Sequence, residues 1–129
     1  YIQMGRFKDA VALLNPLAAE YPDNPIAQNN LAWVYATGGE MKNARLALRH
    51  AREAILITPY APSAWNTLAE AYYVSGLYDQ ALRASDHALD LLRLQEDSET
   101  SMKDFEAQRA KILRAAEAYK RLSGLDKDE

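Results

Sequence analysis

The 129 residues amount to about one domain of chain, and 49% of them are hydrophobic, enough to bury a continuous core, which excludes a disordered chain. A formal net charge of −3 leaves no basic surplus for nucleic acid, and no long uncharged apolar run exists to span a bilayer. The absence of cysteine removes disulfides, thiolate metal sites and a cysteine nucleophile, and leaves cytoplasm and periplasm equally compatible.

In chain order, Tyr1 to Met4 reads as the stub of a helix, Gly5 as its turn and Phe7 to about Tyr21 as the returning helix, with Ala10, Leu14, Leu17 and Tyr21 on one face. Tyr1 is neither an initiator methionine nor the start of a signal peptide, so the chain is expected to be a piece of a longer protein. A stub that short leaves one side of the first full helix uncovered, and that edge is expected to meet another copy or preceding structure. Pro16 removes the donor to Ala12 and clashes one turn back, which predicts a kink or break near Asn15. Tyr21, Pro22, Asp23, Asn24 and Pro25 form a turn, because each proline disfavours helix in the residue before it.

Pro25 to Thr37 is the next helix, and it carries no charged side chain. Gly38 and Gly39 turn the chain, Met41 to about Ile57 returns with Ala44, Leu48, Ala51 and Ile55 inward, and Pro59 ends the helix. Pro59 lies 15 residues beyond Ala44 whereas Pro22 lies 12 beyond Ala10. The later helix is therefore predicted to be nearly one turn longer, by ~4.5 Å, with a local distortion of the stacking. From Pro62, Trp65, Leu68, Ala69 and Tyr72 share a face, Gly76 breaks the run, and Tyr78, Ala81, Ser85 and Ala88 begin a second face, on a helix from Asp79 to about Glu96. Gln95 to Thr100 is polar and turn-like, with Ser101 and Asp104 placed as an N-cap and its reciprocal partner. A final helix is predicted from about Met102 to Ser123, with Met102, Phe105, Ile112, Ala116 and Tyr119 on one face, Gly124 as its C-cap and Leu125 to Glu129 as a frayed tail.

The chain repeats itself. Leu31, Ala32, Tyr35, Gly39, Met41, Ala44 and Ala51 sit 37 residues before Leu68, Ala69, Tyr72, Gly76, Tyr78, Ala81 and Ala88. Tyr1, Gly5, Phe7, Ala10 and Leu17 sit 34 residues before Tyr35, Gly39, Met41, Ala44 and Ala51. Trp65, two residues, Leu68, Ala69, two residues and Tyr72, followed by Ala81, resembles the tetratricopeptide repeat, and the resemblance covers residues 1 to about 96. It implies an all-α fold: antiparallel helix-turn-helix repeats stacked into a right-handed superhelix, an α-solenoid, with a C-terminal capping helix. The expected units are a partial first repeat over 1–24, a second with a lengthened second helix over 25–61, a third over 62–97, the capping helix over 101–124 and a tail over 125–129. One departure is Arg93, in the slot 28 residues after Trp65 where the family closes with proline.

The resemblance implies a non-catalytic recognition scaffold, whose first helices line a concave groove for an extended peptide or a helix of a partner protein. Carried over slot by slot, the groove wall is Ile26, Asn29, Trp33, Ala36 and Thr37, then Ser63, Asn66, Glu70, Tyr73 and Val74, with Ile2 and Gln3 from the stub. Asn29, Trp33, Thr37, Asn66, Glu70 and Tyr73 are the candidate partner-binding residues. Asparagine amides can bond a partner's backbone through both donor and acceptor, and Trp33 and Tyr73 offer rigid apolar area with a polar edge. The alternative is that Trp33 and Tyr73 pack between helices and the asparagines are solvated. Relatives that clamp a chaperone's terminal carboxylate use basic residues where this chain has Asn29, Ser63, Asn66 and Thr67, so that ligand is disfavoured. Glu70, read as a single exposed carboxylate, contributes little by itself.

Outside the groove, Lys42, Arg45, Arg49 and Arg52 form a basic stripe, which could meet an acidic partner but is expected to pair with Asp79 and Asp86 in equivalent slots of the neighbouring helix. His50 and His87 also hold equivalent slots, with no third metal ligand placed beside them. Ser85, Asp86 and His87 are consecutive on a helix and point ~100° apart, so they form no catalytic relay. No glycine-rich phosphate loop and no HExxH motif occur, and no cofactor is implied. Against the binding module stand two other classes: a structural cap of a longer solenoid that self-associates as a homodimer through the Tyr1 to Tyr21 edge, and the targeting arm of an upstream enzyme.

Overall fold

Short polar side chains and prolines at the turns decide where the helices begin. In the computed structural model, which describes residues 4–38, 42–95 and 99–127, six α-helices follow one another and no strand occurs among the described residues. They are α1 Met4–Glu20, α2 Pro25–Thr37, α3 Ala44–Ile57, α4 Pro62–Val74, α5 Tyr78–Arg93 and α6 Glu99–Lys127. Asn24 caps α2 by accepting from the amides of Ile26 (2.9 Å) and Ala27 (3.3 Å), and Pro25 fills the first helical position, where no amide donor is needed. Asn43 caps α3 through the Leu46 amide at 3.1 Å. Pro62 opens α4, and the Trp65 indole nitrogen ties the preceding turn down by donating to the Pro59 carbonyl at 2.7 Å.

The reversal between α4 and α5 closes with the Gly76 amide on the Tyr73 carbonyl (3.1 Å) and the Leu77 amide on the Tyr72 carbonyl (2.9 Å). This paired pattern requires a left-handed residue, and Gly76 supplies it at φ +78°.

Helix α2 packs against α3 and α4 against α5, giving two hairpins. The second lies on the first through α4, which touches both α2 and α3, while α1 flanks α2 and α6 covers α5 and reaches α4. Alanine occupies the closest approaches: Ala32, Ala47, Ala51, Ala69, Ala71, Ala81 and Ala88 are fully buried, with Leu31 and Ile112 the large side chains sealed among them. Helix α2 is buried round most of its circumference, at Ala27, Gln28, Leu31, Ala32, Val34, Tyr35 and Ala36. Its lack of charge follows, because α1, α3 and α4 surround it and a charge there would lose its hydration.

Several boundaries differ from those predicted. Gly5 makes no turn: it lies in the first turn of α1, and its φ is not positive. Tyr1 to Gln3 lie outside the described residues. Helix α1 runs through Pro16 unbroken, on a side where Ala12, Asn15 and Pro16 are all exposed, so the carbonyl that loses its donor is open to water. The predicted start at Met41 falls outside the described residues, and α3 begins at Ala44; it ends 13 residues past Ala44, whereas α1 ends 10 past Ala10. Helix α5 stops at Arg93, short of Glu96. Ser101 is inside α6 rather than capping it, and Gly124 is inside it too. A glycine inside a helix costs only about 1 kcal/mol relative to alanine, little against the rest of a 29-residue helix. Tyr119, expected on the inner face, is 60% exposed.

A Cβ added at Gly76 would meet no atom within 4 Å, so only backbone strain opposes substitution there. Gly76→Ala is expected to lower unfolding free energy by about 1 kcal/mol in urea titration, and Gly76→Asn by less, because asparagine tolerates the left-handed region.

Candidate functional site

The open face of α2 is set by helical period. With Leu31, Tyr35 and the alanines turned inward, Ile26, Asn30, Trp33 and Thr37 fall at i, i+4, i+7 and i+11 on the opposite side. Ile26 is 70% exposed and Trp33 38%. The Thr37 hydroxyl is folded back on its own helix, donating to the Trp33 carbonyl at 2.7 Å. Between the first turns of α2 and α4 lies a cleft of about 230 Å³ that brings Ile26, Asn29, Asn30 and Ser63 together. Sequence reasoning passed over Asn30, although its spacing from Ile26 and Trp33 was the available signal.

The equivalent slots on α4 have a different environment, because α6 lies against them. Gln108 Nε2 donates to the Asn66 carbonyl at 3.0 Å and to Glu70 Oε1 at 3.1 Å. Lys111 Nζ donates to both Glu70 carboxylate oxygens at 3.0 Å and stands 4.5 Å from the centroid of the Tyr73 ring. Glu70, read from sequence as exposed, is therefore only 5% exposed and already satisfied by a cation and an amide. Neither Gln108 nor Lys111 was singled out, since α6 falls outside the repeat and its register on α4 is not set by the period. Asn29 and Asn66 sit at matching half-buried positions, each with its Oδ1 buried and without a hydrogen-bond partner among the described residues. Ala36 is buried and Val74 half-buried, while Ile2 and Gln3 lie outside the described residues.

The helix α6 also changes the electrostatics of the other face. Asp86 is bound by Arg109 and Asp79 by Lys120 at 3.9 Å, so the carboxylates expected to neutralise the basic stripe are turned to α6 instead. Arg109 and Lys120 are long and close, and the hydrogen-bonded geometry at Asp86 decides the choice of partner.

On that face lie two clefts, one beside α3 and one between α4 and α5. One, of about 520 Å³, is lined by Asn15, Gln28, Tyr35, Arg49, His50 and Glu53. The other, of about 420 Å³, is lined by Trp65, Tyr72, Gln80, Arg83 and His87. Gln28 and Trp65, Tyr35 and Tyr72, and His50 and His87 are each 37 residues apart, so the clefts are repeat equivalents. His50 stacks on Tyr35 with ring centroids 5.8 Å apart, and its Nδ1 lies 2.7 Å from Gln28 Oε1. Gln28 Nε2 donates to the Pro22 carbonyl at 3.0 Å, which fixes the amide so that its oxygen faces the imidazole, and Nδ1 carries the proton. His87 meets Trp65 edge-on at 4.3 Å. No group of three or more metal-ligating side chains occurs among the described residues.

Two outcomes follow from these contacts. Burial, reinforced by Arg49 and opposed by Glu53, lowers the His50 pKa below its ordinary value of 6.5. The unfolded chain then takes the proton more readily, and stability falls as the pH drops through 6.5 towards the folded value. The urea midpoint is expected to decline between about pH 7.5 and pH 5.5, with a shallower decline in His50→Gln. Lys111→Met removes the cation from a nearly buried carboxylate and is expected to cost about 1–3 kcal/mol, between the values for surface and buried pairs. The same change in a Glu70→Gln background should cost less, as a double-mutant cycle in urea would measure.

No helix among the described residues is long and apolar enough to cross a membrane. No curated protein matches the chain. Residues 1–55 match the family model described as Tetratricopeptide repeat. The hairpin α4–α5 then repeats α2–α3 at the same small and aromatic slots 37 residues on, so the tetratricopeptide-repeat pattern matched over residues 1–55 continues beyond them.

Proposed function

We propose that this chain, whose matched tetratricopeptide repeats are of a kind that generally mediates protein–protein interaction, is a non-catalytic module that binds a segment of a partner protein along the face carried by α2 and the first turn of α4. The observation that supports this is the uncharged, half-apolar strip of Ile26, Asn30, Trp33 and Thr37, opening at one end into the cleft beside Asn29 and Ser63. Trp33 is the anchor of the proposed contact, since a partly exposed indole gains area on binding without much loss of rotamer freedom. The bound segment is held by apolar contact and amide bonding, not by charge. Asn66 and Tyr73 form the far wall, where α6 narrows the face by covering Glu70 and the Lys111 ammonium is the nearest charge.

A second reading is favoured by one observation. Leu13 is 67% exposed, and Leu17 on the same helix and Tyr21 just past its end are exposed too, so α1 presents an apolar edge suited to pairing with a second copy. That edge would give a structural, self-associating role.

The test is affinity capture from the source lysate with the parent chain and with Trp33→Ala/Asn66→Ala, each checked by circular dichroism and light scattering. The expected result is a protein retained by the parent and lost by a double mutant of unchanged helicity. Capture that survives in the double mutant removes the α2 face from the binding site. A mass that doubles with concentration, and reverts to monomer in Leu13→Glu/Leu17→Glu, supports the self-association reading instead.

A further inference from the structure

Between Lys42 and Arg52 the chain carries four cations and no carboxylate, although the whole molecule is net negative. Arg45, Arg49 and Arg52 are exposed on α3 at steps of four and three residues, which places them on one side of the helix. The neighbouring carboxylates of α5 are engaged elsewhere: Asp86 with Arg109, Asp79 with Lys120 and Asp90 with Arg93. Among the described residues, no carboxylate lies within 4.0 Å of any of the three arginines. Arg52 leans over the Tyr72 ring at 6.0 Å, an arrangement that leaves its donor edge free. Arg49 lines the 520 Å³ cleft beside α3, and Tyr72, under Arg52, lines the 420 Å³ cleft between α4 and α5 together with Arg83 and His87.

We infer that this face of α3 is a second docking surface, for an acidic segment of a partner protein, separate from the strip on α2. At 1.5 Å per residue the arginines step about 5–6 Å along the helix. Alternate side chains of an extended peptide step about 7 Å, so carboxylates at every second position fall within reach of successive guanidinium forks. The cleft beside α3, walled by Tyr35 and His50, and that between α4 and α5, walled by Trp65 and Tyr72, accept apolar side chains flanking the acids. A nucleic acid fits less well. Its charge is uniform and extended, whereas here a single row of arginines stands on a chain of net charge −3, with Glu53 in the adjoining cleft.

The test uses a fluorescein-labelled peptide with glutamate at every second position and one phenylalanine, its binding followed by anisotropy at low and at physiological salt. The parent chain is expected to bind it, and Arg45→Glu/Arg49→Glu/Arg52→Glu to bind about tenfold more weakly or worse. Lys103→Glu/Arg114→Glu/Arg121→Glu makes the same charge change on α6 and should retain binding, as should Trp33→Ala, which distinguishes this surface from the strip on α2. If circular dichroism shows the α3 triple mutant unfolded, the size-matched single changes Arg49→Gln and Arg52→Gln replace it, each with a smaller expected loss. The inference is overturned if the parent does not bind the peptide, if both triple mutants lose it equally, or if a single-stranded RNA of equal charge binds the parent more tightly than the peptide does.

Discussion

Close approach of helix backbones is the constraint on which this molecule rests. Ala32, Ala51, Ala69, Ala81 and Ala88 have no accessible surface, on helices that pack against one another. A methyl side chain in such packing lets the neighbour come near enough for Leu31, Tyr35, Leu68 and Ile112 to fill the space that remains. The exposed strip on α2 depends on that packing. Because α2 is gripped by α1, α3 and α4, its one remaining open side is rigidly defined, and Ile26, Asn30 and Trp33 are displayed without freedom to turn inward.

Helix α6 attaches by a different chemistry. Its buried apolar contribution centres on Ile112 and Ala116, and the rest of its contact is polar: Gln108 and Lys111 on Glu70, Arg109 on Asp86 and Lys120 on Asp79. The pairs at Asp86 and Asp79 are solvent-exposed and contribute at most about 1 kcal/mol each, whereas the Glu70 pair is nearly buried and sets the register of the helix. With Asp86 and Asp79 paired to α6 and Asp90 to Arg93, none of these carboxylates is bound to an arginine of α3, and the molecule has an uncharged face and a basic one.

The two faces are related through α2 and α3. Tyr35 belongs to the core of the first hairpin, yet its ring also supports His50 in the cleft beside α3, and Gln28 connects that histidine to the turn before α2. Repetition gives the next hairpin the same frame with other contents: Trp65 stands where Gln28 does and His87 where His50 does. The repeat thus conserves geometry while the side chains at its edges vary, which is how one architecture serves many ligands.

Period and punctuation were legible in the sequence alone. The recurrence of Leu, Ala and Tyr at fixed intervals, with Gly76, Pro25 and Pro62 between them, determines the α2–α3 and α4–α5 hairpins because each signal acts within a few residues along the chain. Where a local signal was weak or opposed, tertiary structure decided. Pro16 lies in a helix despite its propensity, since the backbone it affects is solvated, and Gly124 does so because one glycine costs a helix only about 1 kcal/mol. The state of Glu70 and the isolation of the α3 arginines were likewise out of reach. Both involve which side chains of α6 arrive at α4 and α5, contacts between residues about 20 to 40 apart whose register the repeat period does not encode.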